Sequence, residues 1–543
     1  MPGRQRNRTV LALALALVLV TGAGNLPVVA APVSSTPELA PSGAPYVSVE
    51  KSACAVPPSG ALQLRVTVEI DAETSYLESR VRVRRPSGRL VYQKTQVRND
   101  VETGTVTFEY DRELGDLGLP PGAYPIETRV RSDSGEVREW IINDELLVYD
   151  AEREPSPLVL VARFGCSLAS DPEGRFVLDP GASSRTRSEV EALSAYAVAQ
   201  EDATIAMIIA PAILEEWRRV SEGYEYVGPD GVETVPADSE IAQDHATTLS
   251  LLATALSTGR LELLDVPFSD PDMIGLQESG RLDDLGPQFE RGLSASFSAL
   301  ETTPQPIAAT SQGYLPAGAL PTLAARSALA AIVSSRSIEP TDGVSTGATL
   351  IDDSDIALLL VDDSASSALA SAEATSFARA LFDWHLEADE GAPIIVEAPL
   401  GAGSDLGVEK LDECLAEVLD AEWLEPVPPN EAALEATSAI ALRASVEATS
   451  DAPPGYWTEV ADARVRAQAL VAAAGTGDQR AQAANDASLL AQSRCWAGPD
   501  DSWSTADRGR AFAAAAARVS DGVLDGVTIA SKDITLSGAR GEV

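Results

Sequence analysis

The residues in this chain equipped to do chemistry are carboxylates placed where apolar runs stop. Asp265 ends LELLD, Asp270 and Asp272 follow in PFSDPD, Asp352 and Asp353 end ATLIDD, Asp362 and Asp363 end DIALLLVDD, and Glu397 lies in APIIVEAPLG. If these runs are strands of a repeated strand-and-helix sheet, their ends share the face on which ligand-binding loops lie. Two carboxylates on such a rim are what glycoside hydrolysis needs, one to donate a proton and one to act as nucleophile or base. Asp265, Asp270 and Glu397 are the catalytic candidates on this reading. With 82 acidic residues in the chain, several reach strand ends by chance. The plainer reading of PFSDPD is that Pro271 and Asp272 begin a helix that Asp270 caps.

Other chemistries are poorly supplied. The two histidines, His245 and His385, fall on separate helical patterns with no H-x3-H or clustered Asp, so neither a metal nor another cofactor is expected. A serine nucleophile would need a G-x-S-x-G elbow, which is absent. Rings that stack on the apolar face of a sugar are available in Trp217, Tyr224, Tyr226, Phe268 and Tyr314. Phe268, Asp272, Tyr314 and Asp362 are therefore the ligand-binding candidates, with loop anchoring or core packing as their alternative role.

The elements that must position these groups follow from the pattern along the chain. Residues 1–30 carry Arg4, Arg6 and Arg8 ahead of LALALALVLV, an apolar run too short to span a bilayer comfortably, and read as an export signal. Residues 31–45 are a Pro- and Ser-rich flexible leader. From 46 to 152, ALQLRVTVEI, SRVRVRR, GTVTFEY and GAYPIETRVRS alternate between turns, which predicts an antiparallel β-sandwich of immunoglobulin type acting as a spacer or binding module. From 156 to 425 the grammar becomes strand then helix, starting with PLVLVARFG and TIAMIIAP. No Gly-rich nucleotide loop follows the first strand, so a (β/α) barrel is expected rather than an open doubly wound sheet. Residues 429–520, from EAALEATSAIALRASVEA onward, are Ala-rich and read as helical, and LDGVTIASKDITLSGARGEV within 521–543 reads as strand.

A formal charge of −42 over 543 residues repels nucleic acid and anionic lipid, and beyond the signal no run is apolar and long enough to cross a membrane. The four cysteines, Cys54, Cys166, Cys414 and Cys495, lack metal-site spacing and in an exported chain suit two disulfides. Of three possible pairings, Cys54 with Cys166 and Cys414 with Cys495 is the one expected, since each would tie a domain edge to its neighbour.

The order of pieces, with LPPGAYPIETRV, LELLDVPFSDPDMIGL, DAEWLEPVPPNEAALE, LLAQSRCWAG and the closing DGVTIASKDITLSGARGEV, resembles a family of secreted or anchored actinobacterial cell-envelope proteins. The resemblance covers most of the chain past the signal. It implies a barrel related to those of glycoside hydrolases and polysaccharide deacetylases, working near peptidoglycan or its precursor, with cell-wall glycan or an envelope protein as partner. It also implies a further β domain, of which residues 521–543 are the truncated start, and a membrane anchor beyond it. It supplies no catalytic residues. Two functions are thus expected: an exported, non-catalytic barrel that binds glycan or a partner protein, or a glycoside hydrolase using two rim carboxylates.

Overall fold

In the first hundred residues after the leader, side chains of alternating polarity settle on the two faces of strands. The computed structural model describes residues 46–133, 137–165, 168–178, 184–200, 204–228, 231–310, 313–335, 347–351, 354–401, 404–436, 439–440, 450, 452–496 and 504–524. One sheet has the order β1-β3-β6, formed by Tyr46–Lys51, Ala61–Ile70 and Gly104–Glu113. The other has the order β2-β8-β7-β4-β5, formed by Ala55–Val56, Val137–Val148, Gly122–Asp133, Thr74–Arg84 and Leu90–Val101. All pairings are antiparallel except that of β2 with β8. Leu62, Leu64, Val66 and Val68 of β3 meet Leu77, Val81 and Val83 of β4 and Ile126 and Val130 of β7 in one core. Full burial of each such side chain favours the fold by about 1.5–3 kcal/mol, so this two-sheet layer has a core of its own.

Seven parallel strands then close into a barrel. They are β9 (Ser156–Phe164), β10 (Ile205–Ile208), β13 (Leu261–Asp265), β14 (Gln305–Ala309), β15 (Ala330–Ser334), β17 (Ala357–Val361) and β18 (Ile394–Leu400). The ring runs β9-β10-β13-β14-β15-β17-β18 and returns to β9. The contact of β17 with β18 is narrow, Val361 standing opposite Ile395. Around the ring, β11 (Tyr224–Gly228) and β12 (Gly231–Val235) form a hairpin, β16 (Gly347–Ile351) lies antiparallel to β17, β19 (Leu424–Pro426) joins β9, and β20 (Ala439–Ile440) joins β16.

Alternate residues of each barrel strand point inward. Val159, Val161, Leu264, Ile307, Leu359 and Ile395 fill the interior, while Leu158, Leu160, Leu261, Leu263, Ile394 and Val396 face the helices outside. The stretch EAALEATSAIALRASVEA departs from the long helix expected of it. Among its described residues the helix spans Pro429–Leu434, where Ala432 and Ala433 press into the barrel interior, and β20 follows. Tertiary packing here overrides the helix propensity of alanine.

Three helices, Tyr456–Ala474, Gln479–Leu490 and Ser504–Leu524, form the C-terminal helical region. The last ends at Leu524, the first residue of the LDGVTIAS segment expected as strand; the remainder of that segment lies outside the described residues, as do residues 1–45. Among the described residues no helix is long and apolar enough to cross a membrane.

Cys166 lies outside the described residues. Cys495 is disulfide-bonded, whereas Cys54 and Cys414 keep their thiols within the core between the barrel and its outer helices. The expected pairings of Cys54 with Cys166 and Cys414 with Cys495 are therefore not those of the structure. Both side chains lie among apolar neighbours of that core, where small cysteine side chains pack well.

Candidate functional site

Strand parity decides which acids reach the mouth of the barrel. On β9 the inward series Val159, Val161 continues to Arg163, and on β18 Ile395 is followed by Glu397; Asp363 opens the helix that follows β17 and lies near enough to Glu397 for its charge to act there. Arg163 and Glu397 sit on neighbouring strands and form an ion pair. Ser335, just past β15, donates to the Asp363 carboxylate at 2.7 Å, and the Ser366 hydroxyl accepts the Glu397 backbone N–H at 2.9 Å. Glu397 is buried at 8 % exposure. Burial raises its carboxyl above the ordinary glutamate range; Arg163 and Arg494 oppose that rise and Asp363 adds to it. The cluster at the carboxyl ends of the strands is thus two acids, one arginine of the barrel and one of the helical region.

The other candidate acids are engaged elsewhere. Asp265 has the opposite parity from Leu264 and so points out of the barrel, where its Oδ2 accepts from Arg326 at 2.8 Å under the helices. Burial raises its carboxyl and Arg326 pulls it back. Asp270 is buried and adopts φ +47°, a left-handed conformation that aspartate tolerates, and its carbonyl accepts from the Arg494 backbone at 3.0 Å. The helix Met273–Glu278 is capped by Asp272, not by Asp270: Asp272 Oδ1 accepts from the Ile274 and Gly275 N–H groups at 3.2 Å each. Asp362 caps the helix Asp363–Ala370 through the Ala365 N–H at 2.7 Å. Asp352 and Asp353 lie outside the described residues.

The rings proposed to stack on sugar are largely covered. Phe268 is buried with the Arg291 guanidinium 4.3 Å from its centroid, and Tyr314 is buried with its hydroxyl donating to Gln277 at 2.7 Å. Trp217 packs edge-on to His245, and Phe176 lies edge-on to Tyr224 beneath Arg219. The groove of about 480 Å³ beside Tyr224 therefore offers no open ring face at Phe176. His385 is also a packing residue, 5.4 Å from the Trp423 ring. Among the described residues no group of three or more His, Cys, Asp and Glu is placed to hold a metal ion.

PFSDPD has a different task from the one its acids suggested. It is the seam on which the helical region docks. The Asp272 N–H donates to Gln492 O at 3.0 Å, Pro271 and Ser493 form an antiparallel bridge, and the Ser269 hydroxyl donates to Leu489 O at 2.8 Å. Gly275 lies directly under the Trp457 indole, whose Nε1 donates to Ser450 at 3.0 Å; Ser450 in turn donates to Asp272. A methyl group at Gly275 would occupy the space of that indole. Gly275→Ala is expected to destabilise the protein by about 1–3 kcal/mol in urea unfolding, by overpacking and loss of the Ser450 link. An unchanged midpoint would show that the indole is free to move aside.

Arg163 and Arg494 were not singled out in the sequence. Arg163 had a signal, being the charged residue in the otherwise apolar PLVLVARFG. Arg494 had none, because its place at the rim depends on docking of a distant segment.

No family model matches the chain, and no curated protein sequence matches it. In fold it is similar to an alpha-amylase from Thermotoga maritima, at 12% identity and a TM-score of 0.51, over 68% of this chain and 94% of that one. A GH57-type branching enzyme from Pyrococcus horikoshii aligns at 12% identity and a TM-score of 0.47, over 67% and 87% of the two chains. A protein described as a polysaccharide deacetylase, from Mycobacterium smegmatis, aligns at 11% identity and a TM-score of 0.35, over 55% and 98%. At these identities the likeness is one of fold alone.

Proposed function

We propose that this is an exported protein of the actinobacterial cell envelope whose barrel mouth binds cell-wall glycan without cleaving it. One observation carries the non-catalytic reading: the candidate acids already have structural work, Glu397 on Arg163 at the mouth, Asp265 on Arg326 outside the barrel, and Asp272 and Asp362 on helix N-termini. Carboxylates and guanidiniums at a barrel mouth suit the hydroxyl groups of a sugar, accepting from and donating to them. Export is supported by the Arg-then-apolar start of the chain and by the disulfide at Cys495, which fits an oxidising compartment. The fold likeness to an alpha-amylase supports a glycan ligand by analogy. An immunoglobulin-type spacer role for the sandwich is supported by Tyr124, whose hydroxyl donates to Pro120 O at 2.5 Å in the manner of a tyrosine corner.

A second reading, glycoside hydrolysis, is favoured by a specific pair. Asp363 lies near enough to Glu397 for its charge to act there, and burial raises the Glu397 carboxyl as an acid catalyst requires. The separating experiment is retention of the purified chain on intact peptidoglycan with analysis of released fragments. Glu397→Gln is expected to weaken retention roughly tenfold, the loss of one charged hydrogen bond to the ligand. Retention unchanged in that variant would remove the mouth as the binding site.

A further inference from the structure

We infer that the groove where the sandwich meets the barrel is a binding site of its own, and that its ligand is a short neutral saccharide. The inference stands apart from the mouth, since the residues that line the groove are not those of the mouth.

The groove measures about 480 Å³, within the range of sites that take small ligands, and such sites concentrate at domain boundaries. Strands β7 and β8, with Arg84 at the end of β4, form one wall, and the first turns of the helix Ala374–Glu387 form the other. The two walls are tied together. Arg379 of the helix pairs with Glu145 of β8. Past the sandwich, Arg153 donates to the Leu386 carbonyl at 3.4 Å and to the Ala388 carbonyl, at the far end of the same helix. The Tyr149 hydroxyl adds a bond to Glu422 at 2.8 Å. A site whose walls are already fixed gives up little entropy when a ligand enters.

The polar groups on these walls are only half used. Lys51 donates to Asp144 Oδ1 at 2.9 Å, Arg82 to Glu127 Oε1 at 2.9 Å, and Arg379 to Glu145 Oε2. Each acid thus has a cation beside it, while its second oxygen takes no hydrogen bond from the described residues. The side chains of Asn143 and Thr375 make no hydrogen bond among the described residues. Arg84 donates to the Gly88 carbonyl at 3.1 Å and pairs with no acid among them.

Acceptors and donors therefore stand side by side, with the charge of each acid already balanced. A sugar hydroxyl needs that mixture, because it gives one hydrogen bond and accepts others. An anionic ligand would meet the carboxylates of Glu127, Asp144 and Glu145, and an apolar one would strip water from groups it cannot pair. The exposed ring of Pro125 on β7 supplies an apolar patch for the C–H face of a pyranose.

The test is isothermal titration of the full chain with chitotetraose and maltotetraose, both neutral, and with a hyaluronan tetrasaccharide, which carries carboxylates. Each titration is run in wild type and in Glu397→Gln protein, which separates binding at the mouth from binding in the groove. At least one neutral probe should bind in both proteins, roughly tenfold or more tightly than the acidic probe. Thr375→Trp sets an indole in the groove from an exposed position and should abolish that binding. Asn143→Ala, also at an exposed position, should weaken it roughly fivefold through the loss of one hydrogen bond. An unchanged urea midpoint shows each variant to be folded, and either variant alone decides the result. The inference is overturned if neither neutral probe binds, if the acidic probe binds as tightly, or if a folded groove variant binds as wild type does.

Discussion

Asp284→Ala should destabilise the protein by about 3–5 kcal/mol and loosen the helical region from the barrel. Asp284 is fully buried at the start of the helix Leu285–Leu300. Its Oδ1 accepts from Arg464 at 2.8 Å and Gln468 at 3.0 Å, and its Oδ2 from Arg281 at 3.0 Å and Gln492 at 2.8 Å. Arg464 is 2 % exposed, and its remaining partners, Asn485 and Ser488, are neutral. Removing the carboxylate strands a guanidinium out of water, and that desolvation outweighs anything a surface pair contributes. Arg466→Ala, which breaks the half-exposed pair with Asp521, should change stability by less than about 1 kcal/mol. Urea unfolding followed by tryptophan fluorescence measures both. The double variant Asp284→Leu/Arg464→Met should recover part of the loss, because it removes the two fully buried charges together, while Arg281, 21% exposed, can reach water. Equal small effects from Asp284→Ala and Arg466→Ala would mean that the seam is wet.

Acid should destabilise the fold through His385. Its ring lies between the barrel and the helix Ala374–Glu387, with Nδ1 2.9 Å from the Ser156 hydroxyl. Burial, helped by the nearby Arg153 and opposed by Asp150, pushes its pKa down to about 4. In the unfolded chain the ring titrates at about 6.5. Above that pH both states hold a neutral ring and His385 adds no pH dependence. Between about 6.5 and 4 the unfolded chain takes a proton that the folded one refuses. Stability therefore falls as pH drops through this window, by roughly 3 kcal/mol in all, with no further loss below it. His385→Leu should remove that part of the slope, so that the difference in unfolding free energy between wild type and variant narrows or reverses toward acid. Parallel pH curves for the two proteins would contradict the assignment.

The barrel was legible because its strands are short apolar runs, such as PLVLVARFG and DIALLLVDD, separated by helical segments. That same uniformity hid the direction of the acids. Strands covered on both faces show no alternation of polarity, so nothing in LELLD says which side Asp265 takes. One residue of parity sent it outward to Arg326 and left Glu397, two past the inward Ile395, on the inner side. The sandwich posed the opposite case: one face of each strand is wet, so the inward set Leu62, Leu64, Val66 and Val68 was written in the sequence. PFSDPD looked like a ligand loop because acids and prolines end strands in both settings. Its pairing with residues 492–494 is a long-range contact that local pattern does not encode. The alanine-rich EAALEA failed for a related reason, since what fixes it is the space it fills inside the barrel.

Incubation of the purified chain with intact peptidoglycan, with bound protein and released sugar fragments measured together, tests the central claim most directly. The account predicts retention of wild type, weaker retention of Glu397→Gln, and no fragments from either. Release of fragments by wild type that stops in Glu397→Gln and in Asp363→Asn would contradict it and make the mouth a hydrolytic site.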